Sequence, residues 1–199
     1  MSEYGQKIGE KFQEYYPQLI HENDRGSVII TSVILEETLQ KMLKKNLIPS
    51  PGKSDELFKS PYAPLNNFSA KIDMAYRVGL IRHHIRSTLH LIRKIRNDFA
   101  HSKLVDGFES NEVKSRINEI FKLNQNILDT VWGILRDDLS KHFLDHGDNV
   151  LKSEDGLKSL VEILDWRGTF DLLAAITCAG LNLAVDEIIP LKPLDKESA

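Results

Sequence analysis

Cysteine is almost missing from this chain of 199 residues, which carries a single thiol at Cys178. One cysteine can form neither an intrachain disulfide nor a thiolate metal cage, so the fold has to rest on packing alone. Cys178 lies in the apolar run from Leu172 to Val185, where it is expected as a small buried hydrophobe. A reactive thiolate would need a cationic and partly exposed setting. Aromatic residues are few, at 8%, and the two tryptophans, Trp132 and Trp166, fall on helical stripes that make them core anchors rather than stacking platforms. Long hydrophobic runs are also missing. The stretch from Leu172 to Ala184 stops short of the roughly 20 residues that span a bilayer and is interrupted by Thr177 and Asn182. The opening MSEYGQKIGEK has no apolar leader segment, so a soluble, cytoplasmic protein is expected. There is no glycine loop to cradle phosphates, no G-x-S-x-G elbow and no spaced pair of carboxylates, and no cofactor is expected. His142, Asp145 and His146 put two imidazoles one helical turn apart but lack a third ligand, and no metal is expected there.

What is present is helical periodicity. With 41% hydrophobic residues, a chain of this length can bury roughly 70% of its unfolded surface in one core. Alternating strand patterns are absent, and the expectation is an all-α bundle of six to seven helices forming one domain over residues 1–190. Residues 191–199 are expected to be a disordered tail. A first helix from Tyr4 to Tyr16 should close before Pro17. A second starts at an Asn23 or Asp24 cap and ends at Asn46 and Pro49, with lysines in its last turns facing its own dipole. Four of the seven prolines fall between Pro49 and Pro64, which predicts a long loop. Asn66 or Asn67 then caps a helix stopped by Gly79 in a left-handed conformation. A helix over residues 82–100 follows, then one from Glu112 to Leu144 with Ile117, Ile120, Phe121, Leu128, Val131 and Leu135 inward, and two final segments over 153–164 and 169–189.

Charge is distributed unevenly. The chain has a net charge of −3, yet between Arg77 and Lys103 stand seven Lys or Arg, four of the seven histidines and one acid, Asp98. At about 100° per residue, Ile85, Ile92, Ile95 and Phe99 share one face of that helix, while Arg86, His90, Lys94, Asn97 and His101 share the opposite one. Such a face attracts phosphate, carboxylate or an acidic partner protein. The residues expected to bind are Arg82, His83, His84, Arg86, His90, Arg93 and Lys94.

The run Ala63 to Ile81, the segment LHLIRKIRNDFAHS from Leu89 to Ser102, and Asn23-Asp-Arg-Gly-Ser-Val resemble the signature blocks of the mannitol operon repressor (MtlR-like) family. That resemblance implies an all-helical bacterial regulator with a role in transcription regulation as a repressor. Arg96-Asn97-Asp98-Phe99-Ala100-His101 is also similar to the R-x4-H motif of HEPN domains. In HEPN ribonucleases the Arg and His of two subunits meet at a homodimer interface and cleave RNA without metal. The resemblance would make His101 the acid/base group, Arg96 the phosphate ligand and Asn97 a positioning group.

Two other readings compete for the same residues. On an unbroken helix Arg96 lies about 60° from Phe99 and about 140° from His101, so Arg96 could instead be a structural arginine paired with Glu36 or Glu37. Alternatively Ala75, Gly79 and Ile85, with Met74 and Leu80, give the spacing of a helix-turn-helix whose recognition helix would open with His83, His84 and Arg86. The functions left open are regulation by binding a protein partner or nucleic acid, metal-independent RNA cleavage of a toxin or defence kind, and an immunity-type inhibitor.

Overall fold

In the computed structural model, which describes residues 3–101, 107–125 and 156–194, every regular element among the described residues is helical. The protein is an all-α bundle. In chain order the elements are α1 (Glu3–Ile20), α2 (Asp24–Asn46), α3 (Phe68–Arg77), α4 (His83–His101), a 3-10 turn (Gly107–Glu109), α5 (Asn111–Leu123) and α6 (Gly156–Glu187). α6 is the central rod. α1, α2 and α5 pack along it, α4 pairs with α2 and α5, and α3 tucks between α2 and α4. By length and composition α6 could cross a membrane, but 67% of its most apolar window is buried against the other helices, the setting of a core helix. Cys178 is fully buried within it, and burial pushes the thiol far above its ordinary value, in keeping with a packing role.

Local chemistry sets the helix ends. The Asn23 side chain accepts from the Gly26 N–H at 2.8 Å, Asn67 from the Ala70 N–H at 2.9 Å and Ser110 from the Val113 N–H at 3.2 Å, each satisfying a donor that a helix start leaves open. α3 closes at Gly79, whose φ of 77° lies in the left-handed region. There the Leu80 N–H reaches Ala75 O and the Gly79 N–H reaches Tyr76 O, a paired closure that needs glycine at this place. The predicted stripe of α4 is largely realised. Ile92, Ile95 and Phe99 are buried together with Leu89, while Ile85, nearer the open end of the helix, only leans on the core. Phe99 meets Phe108 at 5.0 Å between ring centroids and Phe108 meets Phe170 at 5.2 Å, so three aromatics join α4, the 3-10 turn and α6.

Several boundaries differ from expectation. α1 runs through Pro17 to Ile20, because Leu19 at the far end is fully buried and its packing outweighs the lost backbone donor of the proline. The helix expected from Glu112 to Leu144 is interrupted at Asn124, whose side chain turns inward to Thr88 Oγ1 at 2.9 Å and Ile120 O at 2.7 Å, while residues 126–144 of that expectation lie outside the described residues. Leu128, Val131, Trp132 and Leu135 lie outside the described residues, as do His142, Asp145 and His146. The break expected between the two C-terminal segments is present: within α6 Asp165 is non-helical, with φ 57°, and it caps the second segment by accepting from the Gly168 N–H at 2.8 Å. Residues 191–194, expected in a disordered tail, include Leu191, whose N–H donates to Asn46 O at 2.7 Å. Lys45 serves α6 rather than its own helix, donating to Val185 O at 2.8 Å and Asp186 O at 3.0 Å.

The turn between α1 and α2 is held from the other end of the chain. Arg167 donates to Leu19 O at 3.0 Å, Glu22 O at 2.9 Å and Asp24 Oδ1 at 2.9 Å, and its Nε donates to Asp171 at 2.7 Å. Asp171, almost fully buried, also accepts from the Ser27 hydroxyl.

Candidate functional site

The basic stretch divides into two groups once α3 and α4 are folded together. The first lies where α4 begins. Arg82 precedes the helix, its carbonyl accepting from the Arg86 N–H at 3.0 Å, and both Arg82 and His83 are exposed. The His83 ring meets Tyr76 edge-on at 5.9 Å, and the Arg86 guanidinium lies over the same Tyr76 ring at 5.5 Å. Asp73 on α3 gathers this group. Its Oδ1 accepts from Arg86 Nε at 2.8 Å and Nη2 at 2.5 Å, and His90 Nε2 lies 3.1 Å from the same oxygen. Burial alone would raise the Asp73 carboxyl, but the hydrogen bonds and charges of Arg86 and His90 outweigh it and hold the group below its ordinary range. His84 is pushed the other way from a cation, below its ordinary value, by burial first and then by Arg82 and His83. Arg86, His90 and His83 are thus turned toward α3, whereas a recognition helix would offer such side chains outward to bases.

The second group forms a cleft. Arg93, Arg96 and Asn97 from α4, Asn66, Asn67, Phe68 and Ser69 at the start of α3, and Glu36 from α2 line a cavity of about 430 Å³. Arg93 buries its Nε there with no hydrogen-bond partner. Arg96 donates from Nη1 to Asn97 Oδ1 at 3.2 Å, a neutral acceptor. Among the described residues neither arginine has a carboxylate within ion-pair distance. Lys94, on the outer side of the same turn, is exposed.

The expected pairing of Arg96 with Glu36 or Glu37 is therefore not realised. Glu36 faces the cleft, but its Oε1 accepts from Lys71 Nζ at 2.7 Å, and Lys71 is itself buried, so its ammonium takes the carboxylate first. Glu37, one residue on along α2, is exposed. Asp98, the one acid of the basic stretch, accepts from Arg116 on α5. His101 is the last residue of α4 and its side chain lies outside the described residues, so the Arg96 and His101 juxtaposition falls outside them too. Sequence reasoning missed Asp73, Lys71 and the placement of the start of α3 on the cleft. Lys71 and Asp73 stand two residues apart, one serving α2 and the other α4, a division that an isolated helical pattern does not announce. No family model, curated protein or solved structure matches this chain.

Proposed function

We propose that the protein is a cytoplasmic regulatory protein that works by binding, through the basic face of α4, as its resemblance to the mannitol operon repressor family suggests. The observation that carries this reading is the pair Arg93 and Arg96, two guanidiniums on one cleft without a carboxylate partner among the described residues. A structural arginine is normally matched by an acid, because an uncompensated charge is costly. Two such groups left open to one cavity favour an anionic partner that arrives from outside. Arg82 and Lys94, both exposed, extend the positive surface along the helix.

The test is binding of short DNA and RNA duplexes and single strands as a function of salt. Each neutralised phosphate contributes a slope of about −0.7 to −0.9 in log affinity against log salt. Arg82→Gln and Lys94→Gln should each lower that slope by about one phosphate. Absence of binding to either nucleic acid at low salt would overturn nucleic acid as the partner and leave an acidic protein surface, as in an immunity-type inhibitor.

A second reading, a metal-independent ribonuclease of HEPN type using Arg96, Asn97 and His101 across a homodimer, is favoured by one observation: Arg96 opens on the cleft beside Asn97 instead of being closed by an acid. It requires RNA cleavage that persists in EDTA and falls roughly a hundredfold or more in both Arg96→Ala and His101→Ala.

A further inference from the structure

The α2, α3 and α4 cleft has a charge balance that selects among anions. Its lining brings two guanidiniums and one carboxylate, and that carboxylate is already matched by Lys71, leaving two positive charges unanswered among the described residues. To these the start of α3 adds its dipole and backbone. Asn67 as cap accepts from the Ala70 N–H, while the N–H groups of Phe68 and Ser69, the first two of the helix, have no acceptor within it. Asn66 and Asn67 do not compete for a ligand, since the Asn66 amide donates to Pro61 O and the Asn67 amide to Asn66 Oδ1 at 3.1 Å. Asn97 accepts from Arg96 and so keeps its amide nitrogen as a donor.

We propose that this cleft is a site for one terminal phosphate group, held by Arg93, Arg96, Asn97 and the N-terminal backbone of α3. The inference rests on the reading of α4 as a binding surface and narrows it to one chemistry. A phosphomonoester carries close to two negative charges above its second pKa of about 6 and offers three acceptor oxygens, which matches two guanidiniums and a helix start. An internal phosphodiester brings one charge and two free oxygens and leaves one guanidinium unanswered. A carboxylate has the same shortfall. The cavity volume of about 430 Å³ exceeds that of a bare phosphate and leaves room for the sugar that bears it. The group could come from the 5′ end of a nucleic acid or from a phosphorylated small molecule, and both present the same oxygens.

The experiment compares, on the full chain, a 5′-phosphorylated and a 5′-hydroxyl oligonucleotide of one sequence, and a nucleoside 5′-monophosphate with its nucleoside, by calorimetry. The expected result is at least tenfold tighter binding of the phosphorylated member of a pair, with the preference growing as pH rises through about 6. Arg93→Gln, Arg96→Gln and Asn97→Ala should each abolish most of that preference, while Lys41→Gln, on the exposed side of α2, keeps it. Asn97→Ala and the melting curve of each unliganded variant keep the result readable if an arginine variant folds poorly. Preference in the oligonucleotide pair alone assigns the source to a nucleic-acid end, and preference in the mononucleotide pair alone assigns it to a small molecule. The second outcome would defeat nucleic-acid recognition by α4 yet leave the phosphate site standing. Equal binding within both pairs, or a preference untouched by all three cleft variants, overturns the proposal.

Discussion

Lys71 Nζ lies 2.7 Å from Glu36 Oε1, and by holding that carboxylate it leaves Arg96 without the acid that shares its cleft. Lys71 is buried and Glu36 partly so, which makes the pair sensitive to loss of one member. Lys71→Met should lower unfolding stability by about 1 to 3 kcal/mol, as expected for a charged group left without its partner. It should also weaken phosphate binding, because the released Glu36 is then drawn to Arg96. Urea unfolding and calorimetry on the one variant measure both effects, and unchanged phosphate affinity would mean that Glu36 does not reach the arginine.

Arg96→Gln is expected to change stability little, within about 0.5 kcal/mol, since its one described partner is the neutral Asn97 oxygen. A loss of several kcal/mol on thermal unfolding would reveal a structural charge pair after all.

Phe99→Ala should destabilise by about 3 to 5 kcal/mol. Phe99 packs on Phe108, which packs on Phe170, so the cavity opens at the junction of three elements and leaves Phe108 held from the α6 side alone. Denaturant midpoints measure it, and a cost below about 1 kcal/mol would contradict the buried stripe.

Asp73→Asn carries a pH signature. The folded carboxyl is held below its ordinary value of 3.8, so the unfolded chain binds the extra proton and the stabilisation is present above 3.8. It is lost as pH falls below 3.8 toward the folded value. Wild type should therefore be more stable than Asp73→Asn at neutral pH, with the gap closing in that acid window. The Asp73 side chain is nearly half exposed, so solvent screening keeps the gap small, and a gap that widens on acidification would reverse the assignment.

Gly79→Ala tests the α3 closure. A Cβ there would meet no neighbour, so the cost is purely conformational, about 1 to 2 kcal/mol for a φ of 77°. Thermal unfolding should show that cost without loss of phosphate binding.

What could be read from the sequence is what neighbours decide. Asn23, Asn67 and Gly79 act within a few residues of themselves, and the inward stripe of α4 follows from helical geometry. Pro17 does not end α1 because burial of Leu19, a tertiary gain, overrides a local penalty. The interruption at Asn124 is hidden for a similar reason: Asn124 looks like an ordinary polar residue until it donates to the hydroxyl oxygen of Thr88, on another helix. Arginines along α4 were visible as a basic face, but their separation into Arg86 bound by Asp73 and Arg93 with Arg96 left open depends on which side of α3 each acid and amine leaves.

Arg167 joins residues separated by 143 to 148 positions in the chain, since Leu19, Glu22 and Asp24 all hand their oxygens to it. During synthesis the α1 and α2 pair is complete long before that guanidinium exists, so until residue 167 is made the Glu22 carbonyl and the Asp24 carboxylate lack it and Leu19 O has only the Glu22 N–H of its own turn. This corner is thus made well before it is locked, and a chain cut before α6 would lose that lock along with its central rod.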